Sequence, residues 1–146
     1  MINNIIEDNE YKNIVTGQIK DVISFILDKN IEFAITANIS AIEFNPELPD
    51  SIHSKLSKFS LFVLSNYTYS TVKIENDTIS FEAGFGAEGF GSVVTIPLHA
   101  VFQIIVEESI LYVNSVATVE TFNTKNEEKS KNVFKNNPNN KKLMHD

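Results

Sequence analysis

The 146-residue chain contains no cysteine and no arginine. Without cysteine, disulfides and thiolate metal sites are excluded, and a reducing compartment, by default the cytoplasm, is expected. Without arginine, the fork that makes bidentate contacts to guanine or phosphate is missing, and the formal net charge of −7 repels a phosphate backbone. Nucleic acid is therefore not an expected partner. No apolar run reaches the length of a membrane span, and no charged leader with an apolar segment and a small-residue cleavage site opens the sequence. A soluble protein without a membrane partner is the expectation.

Charge divides the chain in two. Residues 1–122 hold 6 lysines and 16 acidic residues, net −10, whereas residues 123–146 hold 6 lysines and 3 acidic residues, net +3. The first part is long enough for one domain with a real core. The second contains 7 asparagines among its 24 residues and too little apolar surface to offset ordering entropy, so a disordered tail is expected there.

Four of the five glycines, Gly84, Gly86, Gly89 and Gly91, fall within one stretch. It follows a segment in which Ile79, Phe81, Ala83 and Phe85 alternate with Ser80, Glu82 and Gly84, the pattern of a half-buried strand. Such glycines permit positive φ and close approach, which implies that something lies against the connection. A second strand is expected at Ser92–Ile96, then a helix opened by Pro97 with Leu98, Val101, Phe102 and Ile105 on one face.

Elsewhere, Ile19, Val22, Ile23 and Ile26 predict an amphipathic helix from about Glu10 to Lys29, with Gly17 leaving its start open as far as Thr16. Ile31, Phe33, Ile35, Ala37 and Ile39 alternate as a strand. Residues 40–58 predict a loop with one or two helical turns, on which Ile52 and Leu56 stand four apart. The apolar run from Phe59 to Asn66 predicts a strand covered on both faces and central in its sheet. Tyr67–Ile74 alternates weakly, Glu75-Asn76-Asp77 reads as a hairpin turn, and Ile110–Val119 as a last strand.

Little in the chain points to catalysis. Gly84-Phe85-Gly86-Ala87-Glu88-Gly89 matches the letters of a dinucleotide fingerprint, but that motif needs a helix to begin at the glycines, and here a strand is expected. His53, His99 and His145 lie far apart and lack metal-ligand spacing. No cofactor or metal is expected. Ser65, Ser92 and Ser109 lie in no nucleophile elbow, and Glu107 and Glu108 read as a solvated helix end. The composition and motifs favour a binding protein over an enzyme. The glycine-flanked sheet edge, with Phe81, Phe85 and Phe90 beside it, suits an extended peptide.

Phe81-Glu82-Ala83-Gly84-Phe85-Gly86, followed by Val94-Thr95-Ile96-Pro97-Leu98-His99-Ala100-Val101, resembles the F-x-A-x-F-G and V-x-V-P-x-x-A-V signature of the SspB (stringent starvation protein B) family. Phe25-Ile26-Leu27-Asp28-Lys29-Asn30 is similar to that family's W-L-L-D-N helix end, and Asn76-Asp77-Thr78-Ile79-Ser80-Phe81 to its N-D-x-V-x-F turn. The resemblance covers roughly residues 20–113. It implies an α+β, mainly β fold: a partly open, Sm-related barrel with an N-terminal amphipathic helix, dimeric, often through that helix. It also implies a non-enzymatic adaptor that binds the ssrA degradation tag and delivers tagged polypeptides to the ClpX unfoldase of the ClpXP protease. The implied peptide-binding residues are Ala83, Gly84, Phe85 and Gly86. The implied protease-docking tip is Lys141, Lys142, Leu143 and Met144. Two alternatives stand beside it: the same fold reading another partner, and a nucleotide-binding protein using the 84–89 glycines.

Overall fold

In the computed structural model, which describes residues 5–119, helix α1 spans Asn9–Asp28. Its N-terminus is set by Asp8, whose carboxylate accepts hydrogen bonds from the backbone N–H groups of Glu10 and Tyr11 at 2.8 and 3.1 Å. Val15, Thr16, Ile19, Ile23 and Ile26 form its buried stripe. The helix runs straight through Gly17, where an added Cβ would meet nothing within 4 Å. Asn30, with φ of 58°, turns the chain out of the helix in the left-handed region that asparagine tolerates.

Strands β1 (Phe33–Asn38), β2 (Glu43–Asn45), β3 (Phe59–Leu64), β4 (Lys73–Glu75), β5 (Thr78–Phe85), β6 (Phe90–Pro97), β7 (Val101–Val106) and β8 (Ser109–Val113) follow. Short helices α2 (Asp50–His53) and α3 (Asn66–Ser70) flank β3. All pairings are antiparallel and give two four-stranded sheets, ordered β3-β1-β7-β8 and β2-β6-β5-β4. The architecture is α+β and mainly β, two sheets under one N-terminal helix rather than a closed barrel. Phe33, Ile35, Phe62 and Ile104 of the first sheet face Ile79, Phe81, Val94 and Ile96 of the second, and the α1 stripe closes the core over the 3-10 turn Leu98–Ala100.

The β4–β5 hairpin turns at Asn76 and Asp77, with φ of 50° and 64°, as its turn residues predict. Other elements differ from the sequence pattern. The helix expected after Pro97 is a single 3-10 turn followed by β7. β7 pairs Gln103 with Thr36 and Val101 with Ala37, so Phe102 is an extra residue in a bulge. The bulge puts Val101 and Ile104, three apart, on the same buried face, and that spacing imitates a helix. Glu107 and Glu108 consequently sit in a β turn rather than at a helix end, Glu107 with φ of 57°.

Strand β3 is an edge strand, not a central one: Phe62 and Leu64 are buried, but Leu61 and Val63 are 58% and 61% exposed. Residues 40–50 contribute the short strand β2, and the weak alternation at 67–74 resolves into α3 and β4. The last strand stops at Val113, where Asn114 starts the 3-10 turn Ser115–Thr118. Asn114 is buried; its amide donates to the carbonyls of His99 and Val101 at 2.9 Å each, and its carbonyl accepts from Val116 N–H. Asn38, also buried, donates to the carbonyl of Ala117 at 2.9 Å. These two amides pin the end of the described chain across the first sheet. The boundary at 122, and the tail beyond it, lie outside the described residues.

Candidate functional site

The glycine stretch is a hairpin. β5 and β6 pair without a shift from Thr78↔Pro97 to Phe85↔Phe90, and residues 86–89 form the turn, closed by a hydrogen bond from Gly89 N–H to the Gly86 carbonyl at 3.1 Å. Phe90 and Gly91 thus belong to β6, which begins two residues earlier than the sequence pattern implies. Gly86 and Gly89 carry φ of 77° and 66°, which glycine adopts without a Cβ penalty. At Gly86 there is a second constraint: a Cβ would lie 3.1 Å from Ile52 Cδ1 and 3.3 Å from Ile52 Cγ1. What lies against this glycine is therefore a side chain of the protein's own α2.

Beside that contact is a cleft of about 560 Å³, lined by Ile52, Leu56, Phe85, Gly86 and Phe90 among others, with Lys55 and Glu88 as its charged groups. That volume is in the range of small ligand sites. Its floor is set by Phe85, whose ring meets Phe44 of β2 edge-on at 5.6 Å and Phe62 of β3 at 6.4 Å. The cleft thus sits where the two sheets come together at their aromatic ends. A second cleft, of about 720 Å³, follows β2 past Phe44 and His53, but Glu43, Glu47 and Asp50 make its mouth acidic.

Next to the first cleft, β5 has an open edge. β4 covers β5 only at Thr78–Ser80, and among the described residues no strand pairs with Phe81–Phe85 on that side. Glu82 N–H points that way, where the Thr71 hydroxyl accepts from it at 2.9 Å. By the alternation of an antiparallel strand, the N–H and C=O of Gly84 face the same side. Above this edge the Tyr67 hydroxyl donates to the Glu82 carboxylate at 2.6 Å. The hydrogen bond to that anion, followed by its charge and by desolvation, raises the Tyr67 pKa above its ordinary value of 10.0.

The four residues singled out in the sequence separate in space. Phe85 and Gly86 line the cleft. Gly84 is exposed on the outer face at the open edge, its α-carbon close enough to the facing turn that a Cβ would stand 3.5 Å from the Gly89 carbonyl oxygen. Ala83 points the other way and packs against the core, outside the cleft. Lys141, Lys142, Leu143 and Met144 lie outside the described residues. Ile52, Lys55 and Leu56 were missed as site residues; the four-residue spacing of Ile52 and Leu56 was visible, but nothing local says that this face turns toward the glycines.

The arrangement lacks the parts of several chemistries. A strand follows the 84–89 glycines, so no helix N-terminus is aimed at a bound phosphate. Among the described residues no three His, Asp or Glu side chains come together as a metal site. Ser92 is buried, its hydroxyl donating to the Pro46 carbonyl at 2.9 Å. What the site offers is main-chain hydrogen bonding beside an aromatic-floored cleft. No family model matches the chain, and no curated protein matches it.

Proposed function

We propose that the chain is a non-enzymatic, SspB-like adaptor that holds the extended tag of a polypeptide along the β5 edge and delivers it to the ClpXP protease. The observation that carries this reading is the juxtaposition of the unpaired β5 edge at Gly84, just past the Glu82 N–H that Thr71 takes, with the cleft at Phe85. An extended peptide there continues the second sheet where β4 stops, taking main-chain bonds from Gly84 and placing a side chain against Phe85, Ile52 and Leu56. Gly84, lacking a side chain, leaves the outer face clear for the peptide. Lys55 supplies a cation at the cleft for a carboxylate of the peptide. The resemblance to the SspB family, with its Sm-related fold, names the cargo as the ssrA tag; binding and handing over need no catalytic group. In this reading Lys141, Lys142, Leu143 and Met144 dock on ClpX, and the tether raises the local concentration of cargo at the protease.

The test is fluorescence anisotropy of a labelled peptide ending in the ssrA tag of the chain's own host. Wild type should bind saturably. Gly84→Pro, which removes the edge N–H, and Leu56→Glu, which puts a charge in the cleft, should each weaken binding roughly tenfold or more, about 1.4 kcal/mol. Circular dichroism should stay unchanged, since both positions are at least partly exposed. A correctly folded wild type that ignores the tag at high micromolar concentration refutes the adaptor reading; tag binding untouched by both substitutions refutes the site.

A further inference from the structure

Charge avoids one of the two sheets. The strands of the second sheet carry Glu43, Lys73, Glu75 and Glu82, whereas β3, β1, β7 and β8 contain no charged residue at all. The inner side of that uncharged sheet is core, so its composition there is expected. Among the described residues nothing covers its outer side. The register aligns Val63, Ala34, Ile105 and Ile110 in one row across the four strands, and Leu61, Thr36, Gln103 and Val113 in the next. Leu61, Val63, Ile110, Leu111 and Val113 are 52–61% exposed. The two polar residues at the centre bond to each other, the Thr36 hydroxyl donating to Gln103 Oε1 at 3.1 Å.

We propose that a second copy of this chain packs on this face, giving a two-fold dimer of sheet on sheet. The five exposed aliphatic side chains present on the order of 500 Å². With their partly exposed neighbours the face approaches the roughly 800 Å² that one partner gives to a standard interface. Self-association suits it for an electrostatic reason as well. Two copies each carrying a net charge of −7 repel in general, and this face lets them meet without bringing like charges together. Two twisted sheets stack face to face with their strands nearly aligned, and the two-fold axis pairs each β3 edge with a complementary aliphatic row.

Other occupants fit less well. Residues 120–146 contain only Phe122, Val133, Phe134, Leu143 and Met144 as large apolar residues, scattered among lysines and asparagines, too few to cover the face. Helix α1, through which the family resemblance implies dimerisation, offers an outward stripe of Ile14, Gln18, Asp21 and Phe25, broken by a carboxylate. The sheet interface does not depend on the peptide-binding reading, and the β5 edge stays open on the other sheet of each copy.

Sedimentation equilibrium of the full chain decides it. Wild type should sediment at twice 16.4 kDa. Val63→Lys on β3 and Val113→Lys on β8 should each raise the dimer dissociation constant about 100-fold or more, because a lysine would be desolvated between sheets. Ile14→Lys and Phe25→Lys should leave it unchanged. A monomeric wild type at about 100 μM overturns the proposal and leaves the face to a different protein. Loss of dimer in the helix variants alone, or in the β3 variant but not the β8 variant, overturns it too, the latter pointing to edge pairing. Ala34→Cys, at the centre of the face and the only thiol in that variant, gives a second readout. Its maleimide labelling should slow on going from dilute to dimeric concentration, and an unchanged rate counts against the sheet interface.

Discussion

Gly86 and Gly89 stand at the two ends of one turn with nearly the same positive φ, so replacing each with alanine separates backbone conformation from packing. At Gly89, with φ of 66°, a Cβ meets nothing within 4 Å. The substitution should cost only the left-handed penalty of an L residue, about 1 kcal/mol. At Gly86 the same penalty applies at φ of 77°, and the new Cβ would also stand 3.1 Å from Ile52 Cδ1. Either Ile52 leaves its rotamer or α2 shifts off the turn, adding about 1–2 kcal/mol. Gly86→Ala should therefore lose about 2–3 kcal/mol. Urea denaturation followed by circular dichroism gives both values; with a urea dependence of about 1–3 kcal/mol per molar, the Gly86→Ala midpoint should fall by about 0.7–3 M. Combining Gly86→Ala with Ile52→Ala should recover the packing part, since the double mutant no longer holds the colliding atoms. Equal losses at Gly86 and Gly89, or a purely additive double mutant, would refute the idea that Ile52 is seated on the turn. Because that contact forms one wall of the cleft, peptide affinity should follow the Gly86 substitution and ignore the one at Gly89.

Asn114→Ala removes the donor to two carbonyls and the acceptor for Val116 N–H, bonds that are buried except for the partly buried one to His99, so thermal or urea unfolding should show a loss of about 2–4 kcal/mol; a loss below about 0.5 kcal/mol would mean that water replaces those bonds. In an ultraviolet titration of the phenolate, Tyr67 and Tyr112 of the native protein should both ionise above 10.0; Glu82→Gln should bring down the Tyr67 component alone, and Tyr67→Phe should remove it. The folded pKa being raised, the Tyr67 contribution to stability is complete below pH 10.0 and is lost as pH rises through the folded value. A titration indifferent to Glu82→Gln would show that the hydrogen bond does not form in solution.

The elements that could be read from the sequence are those whose signal is local. The α1 stripe, the β1 alternation and the Asn76-Asp77 turn each need only a few consecutive residues. The β7 pattern misleads because a bulge, created by pairing with β1 some 65 residues away in sequence, shifts its face by one residue. β2 and β4 are three residues long and owe their existence to β6 and β5 rather than to their own propensity. Within the site, Phe85 and Gly86 stood out as a cluster of glycine and aromatic residues. Ala83 shares the motif and, two residues from Phe85, the same inward face, but it pairs with Ser92 further from the turn and so stops short of the cleft, a distance set by where the hairpin turns and where α2 packs.

By itself the sequence determined the acidic, cysteine-free body, the amphipathic helix, the principal hairpin and the place where glycines concentrate, because composition, periodicity and turn chemistry act over short distances. Only the tertiary structure decided that the apolar run of β3 lies at a sheet edge with one face exposed, that Ile52 fills the space Gly86 leaves, and that the β5 edge is open beside an aromatic cleft. An apolar residue reads the same whether its partner is the core, a neighbouring copy or a ligand. Which of these it meets depends on contacts between segments far apart in the chain.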